Sequence, residues 1–313
     1  MIILALNPSI KKFIQENRSA SALAKRFVGG KDEFQLIEKA TQLKHEKIRV
    51  SFFNLGEYVT DNTQVTNTVS SLGNVIRMAA GTPLDNHISI DPTQAGLLQG
   101  YGVCRDNMIR LAQQISRTDD LEGRKKNCLM LDMEDAGVTD ATFALCDELA
   151  DQALPVAITL QAALFRTEKD LDRMIRRVKA VRLVKGAFAE SADICFTKKK
   201  EIDRQFLHLS RRMLTHRAVL EGFTPVFGTH DDTLISQIIA FAGETALSPD
   251  QYEFEMLYGV RPQLQKALVN KGYTVRVYLP YGKEFWPYAV RRIGENPKNI
   301  KFLLRSLVPE SFF

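Results

Sequence analysis

The 313-residue chain is 45% hydrophobic and 25% charged, which is the composition of an ordinary globular protein that can bury a large core. Its formal net charge of +5 favours anionic ligands or an anionic membrane surface, but no RNA-binding signature or zinc-finger spacing accompanies it, so no nucleic-acid partner is expected. No run approaches the roughly 20 apolar residues of a membrane span, so we expect a cytoplasmic protein that is at most peripheral to the inner face of a membrane.

The first 45 residues predict helices. Asn7-Pro8 is typical of a helix start, and the apolar pattern that follows runs up to the glycine pair Gly29-Gly30. A second helix is predicted over residues 32–43. Residues 1–45 are therefore expected to form an N-terminal helical extension.

From residue 46 onwards, short β-prone runs alternate with segments long enough to be helices. The runs are 47–54, 87–92, 127–134, 155–161, 180–186, 224–229, 252–258 and 274–281. Eight strands alternating with helices predict an α/β fold of the (β/α)₈ TIM-barrel type over residues 46–313, in a single domain overall. A doubly wound sheet is the alternative, but no G-x-G-x-x-G follows any of these strands and no Walker sequence appears.

Polar residues mark the carboxyl ends of these strands, which in a barrel point into the catalytic mouth. Asp132 and Glu134 are expected to face opposite ways and are not interpreted as an acid/base pair. The four cysteines lie far apart with no C-x-x-C pair, and His230 has no second histidine or cysteine near it in sequence, so no metal is expected. The strand ends carry Glu57, Asp91, Asp132, Glu134, Gln161, Arg182, Lys185, Thr229, His230, Tyr258 and Tyr278.

Two cations close the fifth predicted strand, in the run Arg182-Leu-Val-Lys185-Gly186-Ala187. A charge at the end of a buried strand is costly unless it is paired. Its partner is either an anionic cofactor or substrate, or an internal carboxylate such as Asp132 or Glu134. Gly186 would let a flat or phosphorylated group approach the backbone closely.

The segment after the eighth strand carries Tyr288-x-x-Arg291-Arg292-x-x-Glu295. At about 100° per residue, these four side chains share one face of a helix. Two adjacent guanidinium groups are suited to grip a carboxylate, and Glu295 can hold Arg291 in place. A solvated salt-bridge face is the alternative. We expect this C-terminal helix to fold over the barrel mouth.

Six motifs together resemble the proline dehydrogenase family in its short monofunctional bacterial form, and the resemblance runs from about Phe27 to the C-terminus. They are Leu160-Gln-Ala-Ala-Leu-Phe-Arg-Thr167, Arg182-Leu-Val-Lys-Gly-Ala187, Thr229-His230, Glu253-Phe-Glu-Met-Leu-Tyr-Gly259, Tyr278-Leu-Pro-Tyr-Gly282 and Tyr288-x-x-Arg-Arg-x-x-Glu295.

The resemblance implies a (β/α)₈ barrel that holds FAD without a covalent bond and oxidises L-proline to Δ1-pyrroline-5-carboxylate. Hydride would pass from proline C5 to flavin N5, and the electrons would then pass to a membrane quinone. It further implies that Arg291 and Arg292 clamp the substrate carboxylate while Glu295 steadies them, and that Arg182 lies near flavin N5. Tyr278, Tyr288 and Leu257 would line the pyrrolidine pocket. The implied flavin contacts are Asp132, Gln161, Arg182, Val184, Lys185, Gly186, Ala187, Thr229 and His230.

Two positions depart from the family pattern. Asp91 stands where the family usually has a lysine that helps to bind the substrate carboxylate, and Phe188 stands where it usually has tyrosine. Asp91 would pair with Arg291 or Arg292 and weaken proline binding, or would face a substrate with an extra amine or hydroxyl. Two other functions therefore stay open: a flavin oxidoreductase for a different cyclic secondary amino acid, and a weakly active flavin- or proline-binding barrel that acts as a partner protein.

Residues 261–305 contain ten Lys or Arg against two Asp or Glu. This basic excess would steer an anionic substrate or dock the protein on anionic lipid, where a quinone could be reached. Ordinary solvated surface is the alternative.

Overall fold

The computed structural model describes residues 26–56, 59, 61–118, 126–188, 190–215, 217–283, 285, 288 and 289. Within these residues, eight parallel strands close into a barrel in sequence order, and β1 pairs with β8. The strands are β1 (Arg49–Asn54), β2 (His87–Ile90), β3 (Cys128–Leu131), β4 (Val156–Gln161), β5 (Ala180–Val184), β6 (Thr224–Gly228), β7 (Glu253–Leu257) and β8 (Thr274–Tyr281). Each lies within a predicted run, so the prediction of a (β/α)₈ barrel is confirmed.

Helices separate the strands along the described chain. They are α1 (Glu33–His45), α2 (Asn62–Ala80), α3 (Tyr101–Ser116), α4 (Ala136–Asp151), α5 (Thr167–Met174), α6 (Lys199–Thr215), α7 (Asp232–Glu244) and α8 (Pro262–Asn270), with a short 3₁₀ helix at Arg217–Glu221. Asp32, Asp61, Asp135 and Asp231 each precede a helix, and their carboxylates accept hydrogen bonds from its first-turn N–H groups. None of these helices is long and apolar enough to cross a membrane.

Successive side chains along each strand point alternately into the barrel and towards the helices, which divides the core into two parts. Small and apolar side chains on one face of the strands, such as Met130, Ala157 and Val226, pack together as one cluster inside the barrel. Side chains on the other face, such as Phe52 and Ile88, belong to the main hydrophobic core beneath the helices. All four cysteines are free and buried.

The amino-terminal end of the barrel is filled by a buried charge network instead of branched apolar residues. Arg276 is completely buried, and its Nε donates to Glu253 Oε2 at 2.6 Å while Nη2 donates to Asp85 Oδ2 at 3.0 Å. Its Nη1 also donates to the carbonyl oxygen of Val50 at 2.7 Å. Because these partners accept the hydrogen bonds of the buried guanidinium, we interpret the network as a structural element that fills the lower barrel.

The segment before α1 is attached to the end of β8. Gly29 N donates to Pro280 O at 2.7 Å, Gly30 forms a parallel bridge with Tyr281, and Gly282 N donates to Gly30 O at 3.1 Å. The predicted second helix is present as α1, and the first predicted helix lies outside the described residues. The extension therefore reaches the barrel mouth through residues 29–30.

Candidate active site

A cavity of about 770 Å³ lies at the carboxyl ends of the strands. Of the mouth residues predicted from sequence, those within the described chain line this cavity, with the exceptions of Gln161 and Tyr258, and Glu57 lies outside the described residues. Arg291, Arg292 and Glu295 lie outside the described residues. The lining residues are Phe53, Asp91, Asp132, Met133, Glu134, Thr159, Arg182, Val184, Lys185, Gly186, Ala187, Phe188, Gly228, Thr229, His230, Asp231, Glu255, Met256, Leu257, Tyr278 and Tyr288.

Arg182 lies at the centre of the cavity floor and is held by two carboxylates. Its Nε and Nη2 each donate to one oxygen of Glu255 at 2.8 Å, and its Nη1 donates to Asp132 Oδ1 at 2.5 Å. Burial alone would lower the pKa of Arg182, but the Glu255 and Asp132 carboxylates outweigh it and raise the pKa, so the guanidinium stays charged. Of the partners considered for Arg182, the structure thus shows the internal carboxylate Asp132. Glu255 is a second carboxylate partner that was not predicted.

Tyr278 is joined to this floor through Asp132. Its hydroxyl donates to Asp132 Oδ2 at 2.9 Å, and Arg182 lies over its ring with the guanidinium carbon 5.2 Å from the ring centroid. Burial raises the pKa of Tyr278 well above its usual range, and the Asp132 and Asp91 carboxylates raise it further. The phenol is therefore neutral, its hydrogen is committed to Asp132, and its oxygen can act as an acceptor.

Asp132 and Glu134 line the same cavity, so the expectation that they face opposite ways is wrong. Residues two apart in a strand share a face, and here β3 already ends at Leu131. Glu134 accepts hydrogen bonds from Thr93 N at 3.0 Å and from Thr93 Oγ1 at 2.6 Å. Burial raises the pKa of Glu134, which these two hydrogen bonds oppose.

Asp91 lies just after β2 and its side chain lines the cavity, although the residue is only 9% exposed. A turn holds it there, because Asp91 O accepts from Gln94 N at 3.0 Å and Asp91 N donates to Gln94 Oε1 at 3.2 Å. A carboxylate is thus fixed at the position where the family pattern has lysine.

Lys185 is balanced by carboxylates at the edge of the cavity. Its Nζ lies 2.5 Å from Asp203 Oδ1 and 3.4 Å from Asp231 Oδ2. Burial opposes ionisation of Asp203, but hydrogen bonds from Lys185 and Lys199 lower its pKa. Like Arg182, Lys185 therefore contributes little uncompensated positive charge to the described part of the mouth.

A glycine lies at the end of each of β5 and β6. Gly186 has φ of +113°, and a Cβ there would lie 3.0 Å from Gln161 Oε1. A Cβ on Gly228 would lie 2.8 Å from Val184 Cγ1. Gly186 and Gly228, which we call the glycine cradle, both line the cavity with backbone, and a Cβ at either position would crowd a neighbouring side chain of the protein. Gln161 lies behind it, and its amide donates to Glu134 O at 2.8 Å.

His230 joins the ends of two strands. Its Nε2 accepts a hydrogen bond from Leu257 N at 2.9 Å. In a neutral ring, the hydrogen then lies on Nδ1. This contact orients the imidazole at the cavity wall beside Leu257, where both residues were expected.

Tyr288 closes one side of the cavity and is 7% exposed. It packs against Phe27 and Val28 of the segment before α1. Ala289 N donates to Phe285 O at 3.0 Å, which is a helical spacing. The start of the expected C-terminal helix thus lies at the mouth, and its arginine pair lies outside the described residues.

A closed parallel barrel with a cavity at the carboxyl ends of its strands, lined by apolar and charged side chains, defines the class of the protein, which is that of the (β/α)₈-barrel enzymes. A family model described as proline dehydrogenase matches residues 36–305. The chain belongs to the proline dehydrogenase family.

Two relatives agree with this membership, and a solved structure agrees with the fold. The chain is 32% identical over 291 residues to proline dehydrogenase 2 of Bacillus subtilis strain 168, covering 93% of this chain and 92% of that one. It is 29% identical over 288 residues to a proline dehydrogenase of Deinococcus radiodurans, covering 91% and 90%. The crystal structure of proline utilization A from Bdellovibrio bacteriovorus superposes with a TM-score of 0.78 at 18% identity, over 93% of this chain and 35% of that longer chain. At this identity the last likeness supports the fold alone.

The structure adds residues to the site that the sequence analysis missed, chiefly Glu255, Thr159 and Phe53. The role of Glu255 could have been predicted from the sequence. Glu253 and Glu255 stand two apart in a buried strand, so both side chains lie on the same face of it, here the interior of the barrel. Two inward glutamates require buried cations, and the sequence contains Arg182 and Arg276 in strands of the same barrel.

Proposed function

We propose that the protein is a flavin-dependent proline dehydrogenase that oxidises L-proline to Δ1-pyrroline-5-carboxylate. One observation carries the proposal: residues at the ends of six separate strands, at positions where the resemblance implies contacts with cofactor or substrate, line a single cavity. They are Asp91, Asp132, Arg182, Val184, Lys185, Gly186, Ala187, Thr229, His230, Leu257 and Tyr278.

The cavity fits FAD by its shape and its donors. Two observations support this: the backbone of Gly186 and Gly228 lines the cavity, which would suit a planar ring, and a volume of about 770 Å³ is in the range of cofactor pockets. When bound, FAD supplies the two-electron chemistry by accepting hydride from proline C5 at its N5. Val184, Gly186 and Ala187 would hold it on the β5 side, and Thr229 and His230 on the β6 side. Asp132, Arg182 and Lys185 would contribute polar contacts, with Gln161 supporting the cradle from behind.

The described side chains also suit the substrate. Leu257 and Tyr288 provide walls for a small apolar ring and exclude water from it. The Tyr278 oxygen, whose hydrogen is committed to Asp132, can accept from the ring N–H. Arg291 and Arg292, held by Glu295, complete the proposal by gripping the carboxylate, the one anionic handle of proline.

An anaerobic visible spectrum of the FAD-supplemented protein, recorded before and after addition of L-proline, tests this function. We expect flavin bands that bleach on addition. Bands that persist under these conditions would refute proline as the substrate, and the absence of flavin bands would refute the cofactor assignment.

Asp91 favours a second candidate, oxidation of a different cyclic secondary amino acid. Its carboxylate lies in the mouth with those of Asp132 and Glu134, a setting that suits an additional amine better than a carboxylate. Asp91→Lys should raise kcat/KM for L-proline if Asp91 repels the substrate carboxylate. No gain would rule out the repulsion. A panel of cyclic amino acids bearing amine or hydroxyl groups would then identify a better substrate, and lack of turnover with all of them would favour a partner-protein role.

A quinone is the electron acceptor in this proposal, reached by peripheral contact with a membrane. The described charges weaken the lipid-docking argument, because Arg276 is buried inside the barrel and Arg261 and Lys266 pair with Asp232 and Glu46 at 2.7 and 3.0 Å. Co-sedimentation with liposomes that increases with anionic lipid would support docking. Co-sedimentation that is independent of anionic lipid would remove it.

A further inference from the structure

Strand β7 carries two buried glutamates, and each grips a buried arginine at two points. Glu255 holds Nε and Nη2 of Arg182, both at 2.8 Å. Glu253 holds Nε and Nη2 of Arg276 in the same manner, at 2.6 and 3.1 Å. The two glutamates are 3% and 1% exposed, so the pairs are matched in burial and in geometry.

The two pairs differ in what they contact next. The lower guanidinium continues to Asp85 and to the carbonyl of Val50, away from the mouth. The upper guanidinium, Arg182, continues to Asp132, and Asp132 Oδ2 accepts the Tyr278 hydroxyl at 2.9 Å. Only the upper pair is therefore connected to side chains that line the walls of the site.

The upper cluster also has an excess of negative charge. Burial raises the pKa of Glu255, and the Arg182 guanidinium opposes this rise. With both carboxylates ionised, Arg182 contributes one positive charge, and Glu255 and Asp132 contribute one negative charge each. The two-point contact is the geometry of an ionised carboxylate with a guanidinium. The cavity floor is thus net negative, although sequence alone had suggested a cationic strand end.

We propose that Glu255 is a positioning residue that directs Arg182 onto Asp132, so that the Tyr278 oxygen faces the ligand. Glu255 also sets the net negative charge of the cavity floor. Such a floor favours the ammonium group of a bound amino acid and opposes accumulation of negative charge on a reduced flavin. The choice of ligands rests on the function proposed above.

Glu255→Gln and Glu253→Gln provide a matched test in the FAD-loaded protein. Both remove one charge from a buried two-point pair, and Glu253 lies two residues deeper, about 6.6 Å along the strand. The readouts are the midpoint potential of the bound flavin and the Kd of tetrahydrofuran-2-carboxylate by calorimetry. This probe keeps the ring and carboxylate of proline and replaces its nitrogen with oxygen.

We expect Glu255→Gln to make the flavin potential more positive and to tighten binding of the probe on the order of tenfold, the size expected for one charge acting across a partly buried site. Glu253→Gln should leave both values near wild type, although both variants lose stability. Unchanged values in Glu255→Gln, or equal changes in the two variants, would overturn the proposal.

If Glu255→Gln does not fold, Glu255→Asp is the second variant, because it keeps the carboxylate charge but shortens the side chain that holds Arg182. It should retain the wild-type potential and raise the KM for L-proline, whereas a changed potential with an unchanged KM would overturn the proposal. If L-proline does not bleach the wild-type flavin, proline is refuted as the substrate. The test of Glu255 still stands in that case, because the flavin potential is measured with a chemical reductant and not with proline. Calorimetry with the probe needs no turnover and tests Glu255 even if flavin is not retained.

Discussion

Gly186→Ala should weaken FAD binding much more than it weakens the fold. Gly186 has φ of +113°, a backbone conformation that L-residues rarely adopt, and its new Cβ would lie 3.0 Å from Gln161 Oε1 and 3.2 Å from Ala163 Cβ. Strain of this kind costs roughly 1–3 kcal/mol. The loop can relax by moving into the cavity, since Gly186 lies beyond the end of β5, and this movement would fill the space in which a flat ring packs.

The expected result is a Kd for FAD raised by about 5- to 150-fold, which corresponds to roughly 1–3 kcal/mol. Quenching of flavin fluorescence measures the Kd, and urea unfolding of the FAD-free protein measures the cost to the fold. Gly243→Ala is a suitable control, because Gly243 lies in α7 and its Cβ would meet nothing within 4 Å. This control should bind FAD normally and gain up to about 1 kcal/mol in stability. Wild-type affinity in Gly186→Ala would refute the cradle as the flavin site.

Three further predictions concern other parts of the barrel. The pKa of His87 lies well below its usual 6.5, chiefly because the ring is buried and also because Arg276, Arg182 and Arg49 lie near it. The unfolded chain therefore binds a proton more readily than the folded protein, and the free energy of unfolding falls as pH drops below 6.5. His87→Asn should reduce this loss of stability between pH 6.5 and 5.0, and urea unfolding that shows the same loss in both proteins would contradict it. Tyr278 should crowd a ring hydroxyl, so 4-hydroxy-L-proline should turn over more slowly than L-proline, and equal rates would be evidence against this contact. Gly259→Ala would place a Cβ 2.2 Å from Arg26 O, and we expect faster proteolysis near residues 26–30 than in wild type, with equal rates arguing against that packing.

The architecture was readable from the sequence because its signals are local. Each predicted run contains one observed strand, since β-prone apolar runs and the helical segments between them are short-range patterns. Right-handed parallel crossovers fit both a closed barrel and a doubly wound sheet, so the barrel was favoured by the eight strand–helix units together with the lack of a G-x-G-x-x-G or Walker sequence. The position of the mouth follows as well, because strand ends such as those at Asp91, Arg182 and Thr229 must converge there.

The electrostatics of the mouth were decided only by tertiary structure. Sequence shows Arg182 and Lys185 as two cations at a strand end, but it does not show that Glu255 reaches Arg182 across the barrel or that Asp203 reaches Lys185 from α6. Pairing between distant strands depends on which side chains meet inside the closed barrel, and this is a property of the packed fold. For that reason the sequence by itself determined where the cavity lies and many of the described residues that line it, whereas Glu255 and the sign of the charge on the cavity floor followed from the three-dimensional arrangement.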